Sequence, residues 1–238
     1  MNDIVKHLKA FYKHKALYVK TGTYYSKRKN KPQYFYIFIT GFMACGKTTL
    51  ASILKNYLPG YYLDTDLIIQ AREHMTITSI FNTKGEQYFR AKEIETIETL
   101  LTQPELYLDS SNDSKPVWNS KKHMVNPQCT NLSMVCCKKS HYLHLPELII
   151  VSLGGGAIAQ NQVRKILAQH YSKLLVVWLN VPYNTIVNRL QRLHDRPLFN
   201  VMQNSIAFLK LYKKRKRLYK YCHDSTMYSS GIKHWIQQ

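Results

Sequence analysis

Acidic side chains are in short supply: 14 Asp and Glu face 34 Lys and Arg, for a formal net charge of +20. Such a surplus says nothing about fold, but its field favours anionic ligands, whether nucleotide, carboxylate or nucleic acid. The plain alternative is a lysine bias spread over solvated surface, since only two stretches concentrate the charge. Cysteine is sparse and irregular. Cys45, Cys129, Cys136, Cys137 and Cys222 are odd in number, which argues against a secreted disulfide scaffold and for a reducing compartment. No stretch approaches the roughly 20 apolar residues of a membrane-spanning helix, so a soluble protein is expected. Residues 1–33 lack the apolar core of a secretory signal. Their nine Lys or Arg against one acid leave organellar targeting open beside a cytoplasmic location, although arginine is nearly absent there.

What is present suffices for one good core. A chain of 238 residues with 45% hydrophobic content suits a single domain with an added lobe or insertion. Residues 1–33 read as a basic, tyrosine-rich extension ending at KRKNKPQ, and residues 34–238 as the domain proper. Tyr34 to Thr40 is a β-rich apolar run suited to a strand buried on both faces, and helical spacing from Thr48 to Leu58 stops at Pro59-Gly60. The short strand YYLD ends in Asp64-Thr65-Asp66, and helical patterns follow across Leu67 to Glu73 and Gly85 to Leu101. From about Leu101 to Pro146 the pattern breaks at QPE, DSSNDSKP and VNPQCTN, which reads as an irregular insertion. Regular structure resumes with the strand LIIVSL, the glycine run Gly154 to Gly156, a helix near Val163 to His170, the strand LLVVWLN and a helix over Asn184 to Leu193. After Asp195-Arg196-Pro197 comes a long basic helix from about Ser205 to Tyr221. Strands alternating with helices predict an α/β, three-layer sandwich with a five-stranded parallel sheet and helices on both faces. The tail CHDSTMYSSGIKHWIQQ makes a poor fifth strand.

Behind the first strand lies GFMACGKTT, Gly41 to Thr49, which fits G-x-x-x-x-G-K-[ST] at every fixed position. Strand, glycine loop, helix is the context that a P-loop NTPase-like fold requires. Glycines at Gly41 and Gly46 let the backbone curl so that its N–H groups cradle phosphates. Lys47 can reach the β and γ oxygens, and the Thr48 hydroxyl can ligate Mg²⁺. The following helix adds its positive N-terminal dipole. Cys45 reads as a small filler of the loop, not a nucleophile.

Asp64 and Asp66 close the second strand, placed beside the first in the usual doubly wound order, where ligands collect in open α/β sheets. One carboxylate is expected to face magnesium through water and the other an acceptor hydroxyl; a plain helix N-cap at Asp66 is the alternative. Here the residues resemble the shikimate kinase family. The resemblance rests on LDTDLIIQ…TITSIFNTKGEQYFRAKE with its G-E-x-x-F-R helix, on SLGGGA from Ser152 to Ala157, on RPL at Arg196 to Leu198 and on RKRLY at Arg215 to Tyr219. It covers roughly Phe35 to Tyr219 apart from the insertion.

The resemblance implies ATP-dependent phosphorylation of the 3-hydroxyl of shikimate, with ATP as co-substrate and Mg²⁺ as cofactor. By that carry-over Lys47, Asp66 and Arg196 are catalytic, and Gly41, Ala44, Cys45, Gly46, Lys47, Thr48, Thr49, Arg189 and Arg196 bind ATP. Thr48 and, through water, Asp64 hold the metal. Asp66, Arg90, Gly154, Gly155, Gly156 and Arg215 bind the substrate, the two arginines taking its carboxylate. Arginine's planar fork suits that task, and a glycine triplet lets backbone approach a ligand closely. Arg196 lies in a lid over about residues 193–204, and Arg189 is expected along adenine or else in solvent.

The insertion's Cys129, Cys136, Cys137, His141 and His144 match no common zinc spacing and read as a surface loop. Arg217 stands where the family has a proline before its Leu-Tyr pair. Two other functions compete. A related small-molecule kinase, such as a gluconate kinase, would share the phosphate loop. A retired kinase scaffold could bind nucleic acid through the basic extension and KLYKKRKRLYK, although Arg215 within that run already has a substrate role. Nucleic acid is therefore not the expected partner, no membrane association is expected, and the protein is expected to be a monomer.

Overall fold

The structure, a computed structural model, describes residues 34–55, 58, 60–108, 147–192 and 206–228. Its centre is β1 (Tyr34–Thr40), whose six residues after Tyr34 are all buried, as a strand covered on both faces requires. β3 (Glu147–Ser152) and β4 (Leu174–Asn180) flank it and are equally apolar, LIIV and LLVVWL forming their buried runs. β2 (Tyr61–Asp64) and β5 (Ser225–Tyr228) are the short edges. The order is β2-β3-β1-β4-β5, and every pairing is parallel.

This order corrects the expectation that β2 lies beside β1. β3 is inserted between them, pairing Tyr36 with Ile149 on one side and Asp64 with Ser152 on the other. The reason is burial. LIIV is apolar on both faces and belongs in the interior, whereas YYLD has half-exposed tyrosines and tolerates an edge. The crossover from β1 to β2 runs one way over β3, and those from β2 to β3, from β3 to β4 and from β4 to β5 run the other way. Right-handed crossovers in opposite directions put helices on both faces and open a crevice at the carboxyl ends of β1 and β3.

Six α-helices occur among the described residues: α1 (Lys47–Lys55), α2 (Thr65–Glu73), α3 (Ile77–Thr102), α4 (Asn161–Gln169), α5 (Tyr183–Leu190) and α6 (Ile206–Tyr221). α3 starts eight residues before the expected Gly85, capped by the Thr76 hydroxyl on Ser79 N at 3.1 Å, and is broken by Gly85 itself at φ 81°. Its far end is tied to the sheet: Tyr36 Oη donates to Leu100 O at 2.8 Å and Lys173 Nζ to Leu101 O at 2.6 Å. Tyr107 and Leu108 join the core, so the chain stays with the domain past the expected start of the insertion. β5 also forms, against the reading of a poor strand. Asp224 clamps its start to Val176, N–H to O and N–H to carboxylate, both at 2.8 Å.

Residues 1–33, the insertion's cysteines and histidines, and residues 193–204 with Arg196 lie outside the described residues. Among the described residues no helix is long and apolar enough to cross a membrane.

Candidate active site

The phosphate loop follows from the burial of β1. Once the strand is sandwiched, the chain must turn sharply to reach α1, and three residues of positive φ let it do so: Gly41 at 151°, Ala44 at 55° and Gly46 at 102°. At Gly41 a side chain would also strike Cys45 Sγ and Leu179 O, each 2.8 Å from the position of a Cβ. Ala44 holds a left-handed conformation that costs an L-residue about 1–2 kcal/mol, the kind of local strain that functional loops store. Cys45 is fully buried behind the loop. Lys47 Nζ reaches back to the carbonyls of Gly41 and Phe42, both at 3.1 Å, so its ammonium sits across the mouth of the loop. Arg189, on α5, donates to Ala44 O at 3.1 Å and Cys45 O at 2.9 Å. It therefore braces the outside of the loop instead of standing in solvent.

Thr48 and Thr49 are exposed at the start of α1. Thr48 Oγ1 donates to Asp64 Oδ2 at 3.1 Å. The other oxygen, Asp64 Oδ1, caps α2, accepting from Asp66 N at 3.0 Å and Leu67 N at 3.4 Å. Asp64 is thus the N-cap, and Asp66 lies in the first turn. The two carboxylates part company because the strand ends between them; on a continuous strand residues two apart would share a face. A hydroxyl and a carboxylate oxygen side by side, open toward the phosphate loop, form a hard-oxygen donor pair. That set fits a Mg²⁺ ion that keeps water and phosphate as its other ligands.

The glycine triplet lies directly across the crevice. A Cβ on Gly155 would stand 3.0 Å from Met43 N, so triplet and phosphate loop are in contact. On Gly154 it would collide with the carboxylates of Glu93 and Asp66, and on Gly156 with the guanidinium of Arg90. The cleft beside the triplet is lined by Asp66, Arg90, Glu93 and Arg215, with Phe81, Phe89, Ile77 and Met43 as its apolar wall. Arg90 is held by Glu86 Oε1 through Nε at 3.0 Å and Nη2 at 2.8 Å, and by Glu93. Burial works against its charge, but these carboxylates outweigh burial and raise its pKa.

Glu93 is fully buried, and burial pushes its carboxyl above the usual range although Arg90 pulls it down. Its Oε2 accepts from Arg90 and from Gln160 Nε2 at 3.0 Å; Oε1 has no hydrogen-bond partner among the described residues. Arg215, 5% exposed, is the second cation of the cleft and the more deeply buried of the two. Burial lowers its pKa, with Arg90 adding to that, while Tyr219 and Glu93 oppose it. Its Nη1 donates to Gly155 O at 3.3 Å, its Nε has no hydrogen-bond partner among the described residues, and its guanidinium lies 5.6 Å from the centre of the Phe42 ring. Two guanidinium groups with unspent donors, Arg90 partly buried and Arg215 fully so, beside a backbone stripped of side chains, form a receptor for a small planar anion.

Of the residues singled out from sequence, the structure brings together Lys47, Thr48, Asp64, Asp66, Arg90, Gly154, Gly155, Gly156 and Arg215. Arg196 lies outside the described residues. Sequence reasoning missed Glu93, three residues after Arg90, and Tyr219, four after Arg215. Both spacings put a residue on the helix face of its arginine, a signal that was available. The apolar wall from Phe81 and Phe89 was not foreseeable, because it depends on how α3 lies over the sheet.

A sequence profile described as "Shikimate kinase" matches residues 43–107 and 140–235. The shikimate kinase of Sulfurihydrogenibium sp. (strain YO3AOP1) is 29% identical over 184 residues, 77% of this chain and 82% of its own. The chloroplastic shikimate kinase of Solanum lycopersicum is 29% identical over 167 residues, 69% of this chain and 40% of its own. Among solved structures, that of shikimate kinase from Acinetobacter baumannii in complex with shikimate superposes with a TM-score of 0.58 at 25% identity, covering 81% of this chain and 82% of that one.

Proposed function

The chain belongs to the shikimate kinase family, and we propose that it transfers the terminal phosphoryl group of ATP to the 3-hydroxyl of shikimate. The observation that carries this reading is the contact at the crevice. The phosphate loop, which can hold ATP, touches the glycine triplet, and the triplet touches Asp66 on one side and Arg90 on the other. A donor and a carboxylate-bearing acceptor bound on the two sides of that contact would meet in line.

In this reading Gly41 to Thr49 wrap the phosphates and Lys47 turns from the loop carbonyls to the β and γ oxygens. Arg90 and Arg215 clamp the acceptor carboxylate, with Gly154 to Gly156 against the ring. Asp66 holds the acceptor hydroxyl and takes its proton as the oxygen bonds to phosphorus and the bond to the departing ADP breaks. Mg²⁺, held by Thr48 and through water by Asp64, would supply charge neutralisation at the phosphates. Positioning and electrostatics carry most of the rate in such a transfer. Arg196 completes the proposed catalytic set from the lid, and Arg189 supports the ATP site by fixing the loop carbonyls.

We assign residues 34–238 to the kinase domain and residues 1–33 to an extension, in a monomer of the cytoplasm. The chloroplastic relative makes an organelle the alternative, which imaging of the full chain against a chain starting at residue 34 decides.

The test of function is ADP release by purified protein with ATP and Mg²⁺, with shikimate, gluconate or no acceptor added. Release that depends on shikimate is expected. Release with gluconate and not shikimate would assign a different acceptor, and stimulation by neither would overturn the reading.

A further inference from the structure

One carbonyl in the cleft is gripped twice. Gly155 O accepts from Tyr219 Oη at 2.6 Å and from Arg215 Nη1 at 3.3 Å, two donors one helical turn apart on the buried face of α6. Tyr219 is 2% exposed and wedged beside Trp178, ring centres 6.3 Å apart, so its hydroxyl has a fixed origin. Burial raises its pKa, which keeps the phenol protonated as the donor. The Gly155–Gly156 peptide is trans, and in a planar trans peptide the C=O and the next N–H point in opposite directions. A grip on Gly155 O from α6 therefore also aims the N–H of Gly156. That residue is buried, lines the cleft and stands against the guanidinium of Arg90.

We propose that Tyr219 is a positioning residue for acceptor binding: by holding Gly155 O it turns the Gly156 N–H into the cleft, as a third donor beside Arg90 and Arg215 for the acceptor's carboxylate. Arg215 alone cannot do this. Its hydrogen bond to Gly155 is the longer one, and its guanidinium is drawn toward Phe42 and toward the anion it serves. A glycine triplet has few conformational restraints of its own, so its peptide planes need an external hold. Tyr219 touches no reacting atom in this arrangement. The proposal rests on the kinase reading above for the identity of the anion, but the geometry of the peptide does not depend on that identity.

The decisive variant is Tyr219→Phe, which keeps the ring and its packing and removes the hydroxyl. In the full chain labelled with ¹⁵N at its nine glycines, the Gly156 amide resonance should move and exchange its hydrogen faster in the absence of any ligand. An unmoved Gly156 resonance would overturn the proposal whatever the enzyme phosphorylates. In the assay the variant should show a shikimate KM raised roughly three- to tenfold, the range of one lost hydrogen bond, with ATP KM and kcat within about twofold. The increase should vanish for a shikimate ester that lacks the charged carboxylate. Equal weakening of acid and ester, or a change only in melting temperature with KM intact, would make Tyr219 a structural residue and overturn the proposal. A wild-type protein that ignores shikimate would defeat the kinase reading, leaving the glycine resonance as the deciding measurement for Tyr219.

Discussion

Thr48 Oγ1 stands 3.1 Å from Asp64 Oδ2, joining the first turn of α1 to the end of a strand two positions away in the sheet. β3 lies between their parent strands, so the contact exists only because α1 crosses over β3 and delivers its first turn beside β2. Asp64 is divided between two tasks, one oxygen capping α2 and the other facing Thr48.

Asp64→Asn separates those tasks. Asparagine caps a helix about as well as aspartate, so the fold should survive, while the lost charge weakens the hold on a divalent cation. The half-saturating Mg²⁺ concentration for turnover should rise about tenfold, a change equivalent to roughly 1.4 kcal/mol. A titration that overlays the wild type would remove Asp64 from the metal's surroundings.

Lys47→Ala should lower kcat on the order of 10²- to 10³-fold, as loss of one electrostatic donor to a developing charge does. Its hydrogen bonds to Gly41 O and Phe42 O lie on a loop whose shape is held from behind by Arg189 and by Cys45 packing. The melting temperature should therefore change by only a few degrees. Turnover near wild type, in protein of unchanged melting temperature, would defeat the phosphate-loop assignment.

Gly156→Ala and Gly85→Ala form an instructive contrast. Gly156 has φ −107° and ψ −8°, a conformation alanine adopts freely, yet its new methyl would lie in the guanidinium of Arg90. Displacing that group by about 1 Å should raise shikimate KM by tenfold or more with little change in the ATP KM. Gly85 has φ +81° and open space around it. With ψ at 168° that backbone conformation is almost reserved for glycine, so alanine there should cost about 1–3 kcal/mol of stability and leave both KM values alone. Reversed outcomes would mean that α3 is not the wall of the acceptor site.

Glu93 gives a pH signature. Its pKa is raised in the fold, chiefly by burial, so the folded state binds the proton more tightly than the unfolded chain. The stability this contributes is fully present below the ordinary glutamate pKa of about 4.3 and is lost as pH rises through the higher folded value. As pH rises from about 4 the unfolding free energy of the wild type should therefore carry a downward contribution that Glu93→Gln lacks. Denaturant titrations across that range measure the difference, and parallel curves for the two proteins would show that Glu93 takes up no proton in the fold.

Much of this protein is legible in the chain itself. The apolar run at β1, the glycines and Lys47 behind it, the Asp64–Asp66 strand end, Arg90, the glycine triplet and Arg215 each carry local chemistry that a sequence states without help. Their order along the chain sufficed to predict an α/β sheet and, through the family they resemble, a kinase. Tertiary structure decided what depends on long-range burial. LIIVS competes with YYLD for the seat beside β1 and takes it because both its faces are apolar. α3 then carries Arg90 and Glu93 together against the glycine triplet. α6 places Tyr219 against a carbonyl 64 residues earlier in the chain. Local sequence encodes which groups can bind phosphate and carboxylate; only the packing of helices over the crevice determines which way the groups between them face.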